Sequence, residues 1–402
     1  MKTFCCVLIA GFLAVSSRAQ STNLVLFGDS ITGGDGASSF ASSWPGIVAT
    51  QFGYGVWDLA ISGTEIPDEM GNIYSAPGGG AYVYALLTGY NDMRERGTNG
   101  LLDYQACLLS ALAWTSLPTG SQAWPTNAPG WMNTIVYGLT NHYIASAETG
   151  AVASLTVTGP TVFLEMVQCG QGGGTCTVSV DGTSQTNLFL GGNDPDGWGN
   201  PDSSMLLYWT GLTNAQHVIS VECSGDGVVT VGWSAGWTPG SGGNLFFVGN
   251  CLPMMDDAYV QANAPEDSLG SDAAVAVING LILEACEQMA AIGLPVWFVD
   301  VASQYDPYWM AGPDGIHPND AGHTAIAAAF SPFIQGNGRP IIVPELDRVS
   351  VFSQAGLSLT LQTSADLMSW SAATNCLSSG VLTFLAPTNG FVRASQVAVS
   401  NP

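Results

Sequence analysis

Positive charge is almost absent from this chain. Its 402 residues include 7 Lys and Arg against 31 Asp and Glu, for a formal net charge of −24. Binding nucleic acid by neutralising phosphates needs a basic patch, and these residues cannot build one. The same shortage removes an electrostatic hold on anionic lipid. Charge of either sign is scarce, at 9% of residues where about a quarter is usual. Beyond the N-terminus no segment is apolar for long enough to be read as a membrane span. No C-x-x-C occurs, and no His stands at a zinc-like offset from a Cys, so no metal or other cofactor is expected. What is abundant is apolar surface, 47% of residues, together with 50 Gly and 21 Pro in no collagen-like period. That composition describes loop-rich globular domains, two or three of them by length.

The first residues read as a secretory signal. Lys2 precedes an apolar run from Phe4 to Val15, too short to span a bilayer, and Ser16-Ser17-Arg18-Ala19 supplies small residues before a cut. Cleavage after Ala19 removes Lys2 and Arg18 and leaves a chain whose only bases are Arg. The expected location is secreted, extracellular or periplasmic. Seven cysteines then remain: Cys107, Cys169, Cys176, Cys223, Cys251, Cys286 and Cys376. In an oxidising compartment disulfides are expected. Cys169, Cys176 and Cys223 are mutual candidates, but sequence leaves the pairing open.

The periodicity changes twice along the chain. Asn23 to Phe27 reads as a buried strand, Val56 to Ile61 and Tyr82 to Thr88 as a second and a third strand, and Leu101 to Leu117 as a helix ending at Pro118. From about Ala145 to Trp237 only short alternating runs occur, separated by turn clusters such as Asp181-Gly182, which predicts a β-sandwich. Strand-like Asn244 to Val248 and Pro295 to Val301 then alternate with helical Ala274 to Ile292 and Asp320 to Phe330. The expected organisation is a signal peptide (1–19), an α/β domain in two parts (20–144 and 244–334) around an inserted β-sandwich (145–243), and a linker with a small C-terminal β module (335–402). That module resembles the short β modules that end many secreted bacterial proteins, through Leu361 to Trp370 and Gly390 to Ala394.

Four short patterns fall at the carboxyl ends of the α/β strands, where open α/β sheets bind ligands. They are Gly28-Asp29-Ser30, the glycine of Ala60-Ile61-Ser62-Gly63, Gly89-Tyr90-Asn91-Asp92 and Asp314-Gly315-Ile316-His317-Pro318-Asn319. Ser30 at a strand-to-helix turn is a candidate nucleophile. His317 can take its proton, and Asp314 can fix the imidazole tautomer. The backbone N–H groups of Ser30 and Gly63 and the Asn91 amide are candidate oxyanion donors, with Gly63 suited because it has no Cβ to block close approach.

Taken together these blocks resemble those of the SGNH (GDSL) hydrolases over about Asn23 to Leu117 and Asn244 to Phe330. The resemblance implies an α/β, three-layer αβα flavodoxin-like domain with a parallel sheet. It also implies esterase chemistry, with Ser30 as nucleophile, His317 as base, Asp314 as its orienter, and Gly63 and Asn91 in the oxyanion hole. Asp58 departs from the pattern, which often carries Asn there. The substrate expected is a short acyl ester, with an O-acetyl group on a polysaccharide as the leading reading and sandwich aromatics (Trp198, Tyr208, Trp209, Trp233, Trp237) as candidate sugar platforms. The alternatives are a lipase or phospholipase of the same family and a non-catalytic carbohydrate-binding or adhesion protein; oligomeric state is left open.

Several features have plainer readings. Asp29 and Asp92 are expected to tie loops together rather than catalyse, His323 to be structural, and His142 and His217 to be ordinary surface or strand residues. Asp194-Pro195-Asp196 lacks the bidentate Glu of a calcium loop. Gly232-Trp233-Ser234-Ala235-Gly236 matches a nucleophile elbow, but Thr238-Pro239-Gly240 follows where a helix is required.

Overall fold

The computed structural model describes residues 23–78, 82–98, 101–168, 172–191, 203–255 and 269–336, and the strands of 341–397. The expected signal peptide, Cys169, the loop carrying Asp194, Asp196 and Trp198, and positions 337–340 of the expected linker lie outside the described residues.

Five parallel strands form the first sheet: β1 (Asn23–Gly28), β2 (Gly55–Asp58), β3 (Tyr82–Leu87), and, after a long antiparallel excursion, β14 (Leu245–Gly249) and β15 (Val296–Val299). Their spatial order is β2-β1-β3-β14-β15. Chain order reverses between β1 and β3, so the loops that follow those two strands diverge and leave a crevice at their carboxyl ends. The inner strands are buried on both faces, which is why they read as unbroken apolar runs rather than alternating ones.

Among the described residues eight helices accompany the sheet: α1 (Ser30–Gly33), α2 (Trp44–Phe52), α3 (Ile66–Ser75), α4 (Tyr90–Arg96), α5 (Leu101–Ser116), α6 (Asp272–Ala291), α7 (Pro307–Met310) and α8 (Asp320–Gly336). α3, α5 and α6 form one packed group; α2 and α8 form another. The long α5, α6 and α8 coincide with expected helices, although α8 continues past Phe330 with Pro332 inside it. The shorter α2 and α3 are nucleated by local signals. The Ser43 hydroxyl caps α2 by accepting from the Gly46 N–H, with Pro45 in the first turn, and Glu65 and Asp68 form a capping box on α3. α6 corrects one expectation: it is apolar enough over 20 residues to cross a bilayer. Here it is a core helix, with Val275, Ile278, Ile282, Cys286 and Met289 buried.

The antiparallel segment begins at Gln122, not at 145. It comprises β4 (Gln122–Ala123), β5 (Met132–Val136), β6 (Leu139–Ser146), β7 (Val152–Thr158), β8 (Thr161–Gln168), β9 (Thr175–Val180), β10 (Thr183–Phe189), β11 (Ser203–Trp209), β12 (Gln216–Cys223) and β13 (Val229–Trp237). One sheet runs β10-β9-β12-β7; the larger runs β11-β8-β13-β6-β5, with β4 on β13. Leu164, Met166, Val178, Ile219 and Val231 fill the space between the sheets. The opposite face of the larger sheet, through Tyr143, Phe163, Val167, Trp233 and Trp237, joins the same core as the α/β helices. β8 and β13 are therefore covered on both sides, and the Trp237 indole N–H donates to the Ile292 carbonyl just past α6 (3.1 Å).

The strand β8 places an acid, Glu165, on this shared face. The Glu165 carboxylate accepts from the hydroxyls of Ser204 (2.7 Å) and Tyr74 (3.4 Å), and Tyr74 in turn reaches Ser110 of α5. The other carboxylate oxygen lies so close to Gly232 that a Cβ there would overlap it. A Cβ at Gly236 would overlap the Thr158 carbonyl. The two glycines of the elbow-like Gly-x-Ser-x-Gly are thus required by packing, and Ser234 is buried within β13.

Beyond α8, β16 (Ile341–Pro344), β17 (Arg348–Phe352), β18 (Ser358–Ser364), β19 (Ser371–Leu377), β20 (Val381–Leu385) and β21 (Phe391–Val397) form two three-stranded antiparallel sheets, β16-β17-β20 and β19-β18-β21. The expected disulfides are not formed among Cys107, Cys176, Cys223, Cys251 and Cys286, all buried free thiols. Cys176 and Cys223 do stand directly opposite each other on β9 and β12.

Burial pushes the Glu165 carboxyl up from 4.5 to about 8 against the pull of its hydroxyl partners. The folded state then holds a proton that the unfolded chain releases near 4.5, so this group's contribution to stability is present at low pH and is lost as pH rises to about 8. Thermal unfolding of Glu165→Gln and wild type across pH 4 to 9 checks this, as the stability difference should shift towards the variant over about pH 4.5 to 8. A pH-independent difference would show that Glu165 is ionised in the fold.

Candidate active site

β1 ends at Gly28, where φ is +138° and a Cβ would overlap both the Leu87 carbonyl oxygen and the Thr32 hydroxyl. Only glycine lets β1 and β3 close up this tightly before the chain turns into α1. Asp29 caps that helix by accepting from the Ile31 N–H (2.9 Å). Its burial pushes the carboxyl up to about 7, in spite of that backbone donor. Ser30 follows as the first helical residue.

The Ser30 Oγ lies 2.9 Å from His317 Nε2, and His317 Nδ1 lies 2.6 Å from Asp314 Oδ2. The other Asp314 oxygen accepts from the N–H groups of Ile316 and His317, each at 3.0 Å. Partial burial pushes the Asp314 carboxyl up, but the His317 side chain and these two N–H donors outweigh it and hold the carboxyl below the usual range. An ionised carboxylate only accepts, so Nδ1 carries the imidazole proton, and the Nε2 lone pair is left to receive the Ser30 hydroxyl. The Gly312 N–H donates to the His317 carbonyl (2.7 Å), closing the turn around Gly315. Behind it, Gly36 (φ +91°) packs so closely that a Cβ would overlap the Pro318 carbonyl and sit 2.9 Å from His317 Cβ.

Gly63 lies in the turn after β2 with φ +81°. The reason for glycine differs from the expected one: an added Cβ would meet nothing within 4 Å, so the left-handed backbone, not space, requires it. Asn91 sits in the first turn of α4 and donates one amide N–H to the Thr64 carbonyl (2.9 Å), leaving the second N–H for another acceptor. Further bonds hold these two segments together. The Asp92 carboxylate accepts from the Ile66 N–H (3.2 Å), and Arg96 clamps Glu65 through its Nε (2.7 and 2.9 Å) and a terminal guanidinium nitrogen. Asp58 accepts from the Ala60 N–H (3.1 Å), a local turn bond.

The remaining histidines have structural partners. His323 receives the Trp44 N–H and reaches the Asp35 carbonyl, and burial lowers its pKa. His217 pairs with Asp181 (2.7 Å), and His142 with the Thr140 carbonyl (2.7 Å). Sequence reasoning passed over two features of the site: the buried Arg96–Glu65 pair, for which the only signal was the rarity of Arg, and the Tyr308-Trp309 dipeptide shortly before Asp314.

No family model and no curated protein matches the sequence. Solved structures similar to it include a two-domain esterase active on acetylated mannans, co-crystallised with mannopentaose, at 12% identity over 54% of this chain and 90% of that one, with a TM-score of 0.31. The family 3 carbohydrate esterase of Clostridium thermocellum matches at 14% identity over 79% of this chain and 98% of that one, with a TM-score of 0.34. The hemagglutinin-esterase of porcine torovirus matches at 9% identity over 78% of this chain and 89% of that one, with a TM-score of 0.39.

The 2.6 Å His317–Asp314 contact should give a distinct low-field Nδ1 proton resonance in NMR spectra. Asp314→Asn should abolish it, and Gly36→Ala should shift it by displacing the His317 backbone. An unchanged resonance in both variants would mean that it belongs to another histidine.

Proposed function

We propose that this chain is a secreted serine esterase of the SGNH type, hydrolysing short acyl esters, with O-acetyl groups on carbohydrate as its substrates. The observation that carries the reading is the continuous Ser30–His317–Asp314 hydrogen-bond chain at the carboxyl end of a parallel sheet. The strand order supports a flavodoxin-like α/β domain, split by the antiparallel insert and followed by the C-terminal β module.

In this mechanism the Ser30 oxygen attacks the ester carbonyl as His317 Nε2 takes its proton. Asp314 stabilises the resulting imidazolium. Charge on the carbonyl oxygen is received by the Ser30 and Gly63 N–H groups and the free Asn91 amide N–H. His317 then returns the proton to the leaving alcohol, and water repeats the sequence on the acyl-serine. Carbohydrate is the favoured alcohol because secreted esterases of the resembled family with accessory β domains are often carbohydrate esterases, and because a chain with 7 basic and 31 acidic residues is poorly suited to an anionic lipid surface.

Ser30→Ala and Asp314→Asn should each lower kcat on p-nitrophenyl acetate by roughly 10³-fold or more, whereas Ser234→Ala should leave it near wild type. Activity that survives in Ser30→Ala overturns the nucleophile; near-normal kcat in Asp314→Asn overturns the third member. A p-nitrophenyl ester series should peak at acetyl, and a peak at long acyl chains would make the protein a lipase. Acetate release from acetylated xylan, mannan, pectin and chitin then tests the carbohydrate assignment.

A further inference from the structure

Two loops press on the His317–Pro318 segment, and both present aromatic rings to solvent. One is the loop after α1. Gly36 contacts His317 and Pro318, Ser38 donates its N–H and hydroxyl to the Asp320 carboxylate (2.7 Å each), and Phe40 is 54% exposed. The other is the single-turn α7, which carries Tyr308 and Trp309, 66% and 59% exposed. Its backbone is fixed to the site. The Asn319 side-chain amide donates to the carbonyls of both Trp309 and Ala311 (2.9 Å each), and the Asn319 N–H donates to the Met310 carbonyl (2.8 Å). Asn319 stands two residues from His317, so α7 and the imidazole share one rigid scaffold.

The Trp309 ring is also fixed. Its indole N–H donates to Asp306 Oδ2 (2.9 Å), while Asp306 Oδ1 accepts from the Tyr308 N–H (3.0 Å). A large aromatic ring left more than half exposed forfeits hydrophobic stabilisation. A ring held in one orientation beforehand binds a flat apolar partner with little further loss of entropy. By contrast, of the sandwich aromatics expected to serve as platforms, Trp233 and Trp237 are buried in the core and Tyr208 and Trp209 are partly buried against it.

We propose that Trp309 is a stacking subsite for a sugar ring of the substrate, so that the α/β domain itself selects carbohydrate. This rests on the esterase reading given above. A pyranose offers an apolar C–H face to the indole and hydroxyls at its edge. Asp306 beside the ring, with its acceptor-only carboxylate, is placed to receive those hydroxyls. A lipid surface would instead require burying that carboxylate in an apolar phase, which is costly, and the chain has almost no basic residues to draw it to anionic headgroups.

The test compares wild type, Trp309→Ala and Trp309→Phe in the full chain. The substrates are p-nitrophenyl acetate and whichever of acetylated xylo-, manno-, pectic or chito-oligosaccharides the wild type deacetylates fastest. Trp309→Ala should raise KM for the oligosaccharide about fivefold to tenfold, the value of one aromatic contact, with a much smaller change in kcat. Its loss of kcat/KM there should exceed its loss on p-nitrophenyl acetate, and Trp309→Phe should recover most of it. Equal losses on both substrates, or none on the oligosaccharide, overturn the subsite while leaving the esterase reading intact. A loss confined to long-chain esters presented in phosphatidylcholine vesicles overturns it in favour of a lipid-facing rim. A wild type that cleaves p-nitrophenyl acetate but none of the oligosaccharides overturns both the subsite and the carbohydrate reading.

Discussion

The scarcity of cations governs how this fold handles its acids. With 31 carboxylates and 7 basic side chains, buried acids cannot generally be neutralised by ion pairs, and an unpaired buried charge is expensive. The structure resolves this with N–H and O–H donors instead. Asp29 receives the Ile31 N–H, Asp92 the Ile66 N–H, Glu69 the Thr88 hydroxyl, and Glu165 the Ser204 and Tyr74 hydroxyls. Where those donors are too few to offset burial, the carboxyl is pushed up, as for Asp29, Glu69, Asp92 and Glu165. The buried cation Arg96 is committed to Glu65, at the point where the Gly63 turn must be held against α4.

The same rule separates Asp314 from the other acids around the site. Asp314 is only partly buried and has a histidine and two backbone N–H donors, so it remains ionised. Asp29, one residue before Ser30, is fully buried, and burial outweighs its backbone N–H donors and places it near 7. Two aspartates on either side of one serine–histidine pair are thus held in different protonation tendencies chiefly by how deeply each is buried. The ionised one bonds the imidazole; the other shapes the turn that presents Ser30.

The parts of the site most legible in the sequence are those built from short contiguous segments. Gly28-Asp29-Ser30 and Asp314 to His317 each fold as a local turn, with Asp29 bonding two residues on and Asp314 three residues on. The buried strands were legible because both their faces are covered. What sequence could not show are features set by distant neighbours. Nothing local reveals that β5 and β6 pair into the insert's larger sheet, so the boundary at 145 fell inside that sheet. The glycines of the Gly232 to Gly236 stretch imitate a catalytic elbow because Glu165 and Thr158 crowd them across strand pairs. Gly63 was assigned to the right turn for the wrong physical reason, since only the dihedral angle distinguishes a requirement for positive φ from one for space.

The shared core also limits what the insert can do. A sandwich with its own closed core would expose the outer faces of both sheets. Here one face of the larger sheet is spent on α3 and α5, with the Tyr74–Glu165–Ser204 cluster and the Trp237–Ile292 bond fixing it in place. The available surface is the outer side of the four-stranded sheet, where β7 and β12 alternate buried and exposed residues. That side carries Val152, Val218 and the edge-strand Phe189 but, among the described residues, no tryptophan. An aromatic platform with a fixed orientation exists instead on α7, tied through Asn319 to the chain segment that carries His317. Geometry that must be accurate at the reacting bond is better supplied by a ring tied to that segment than by one in a separate sheet.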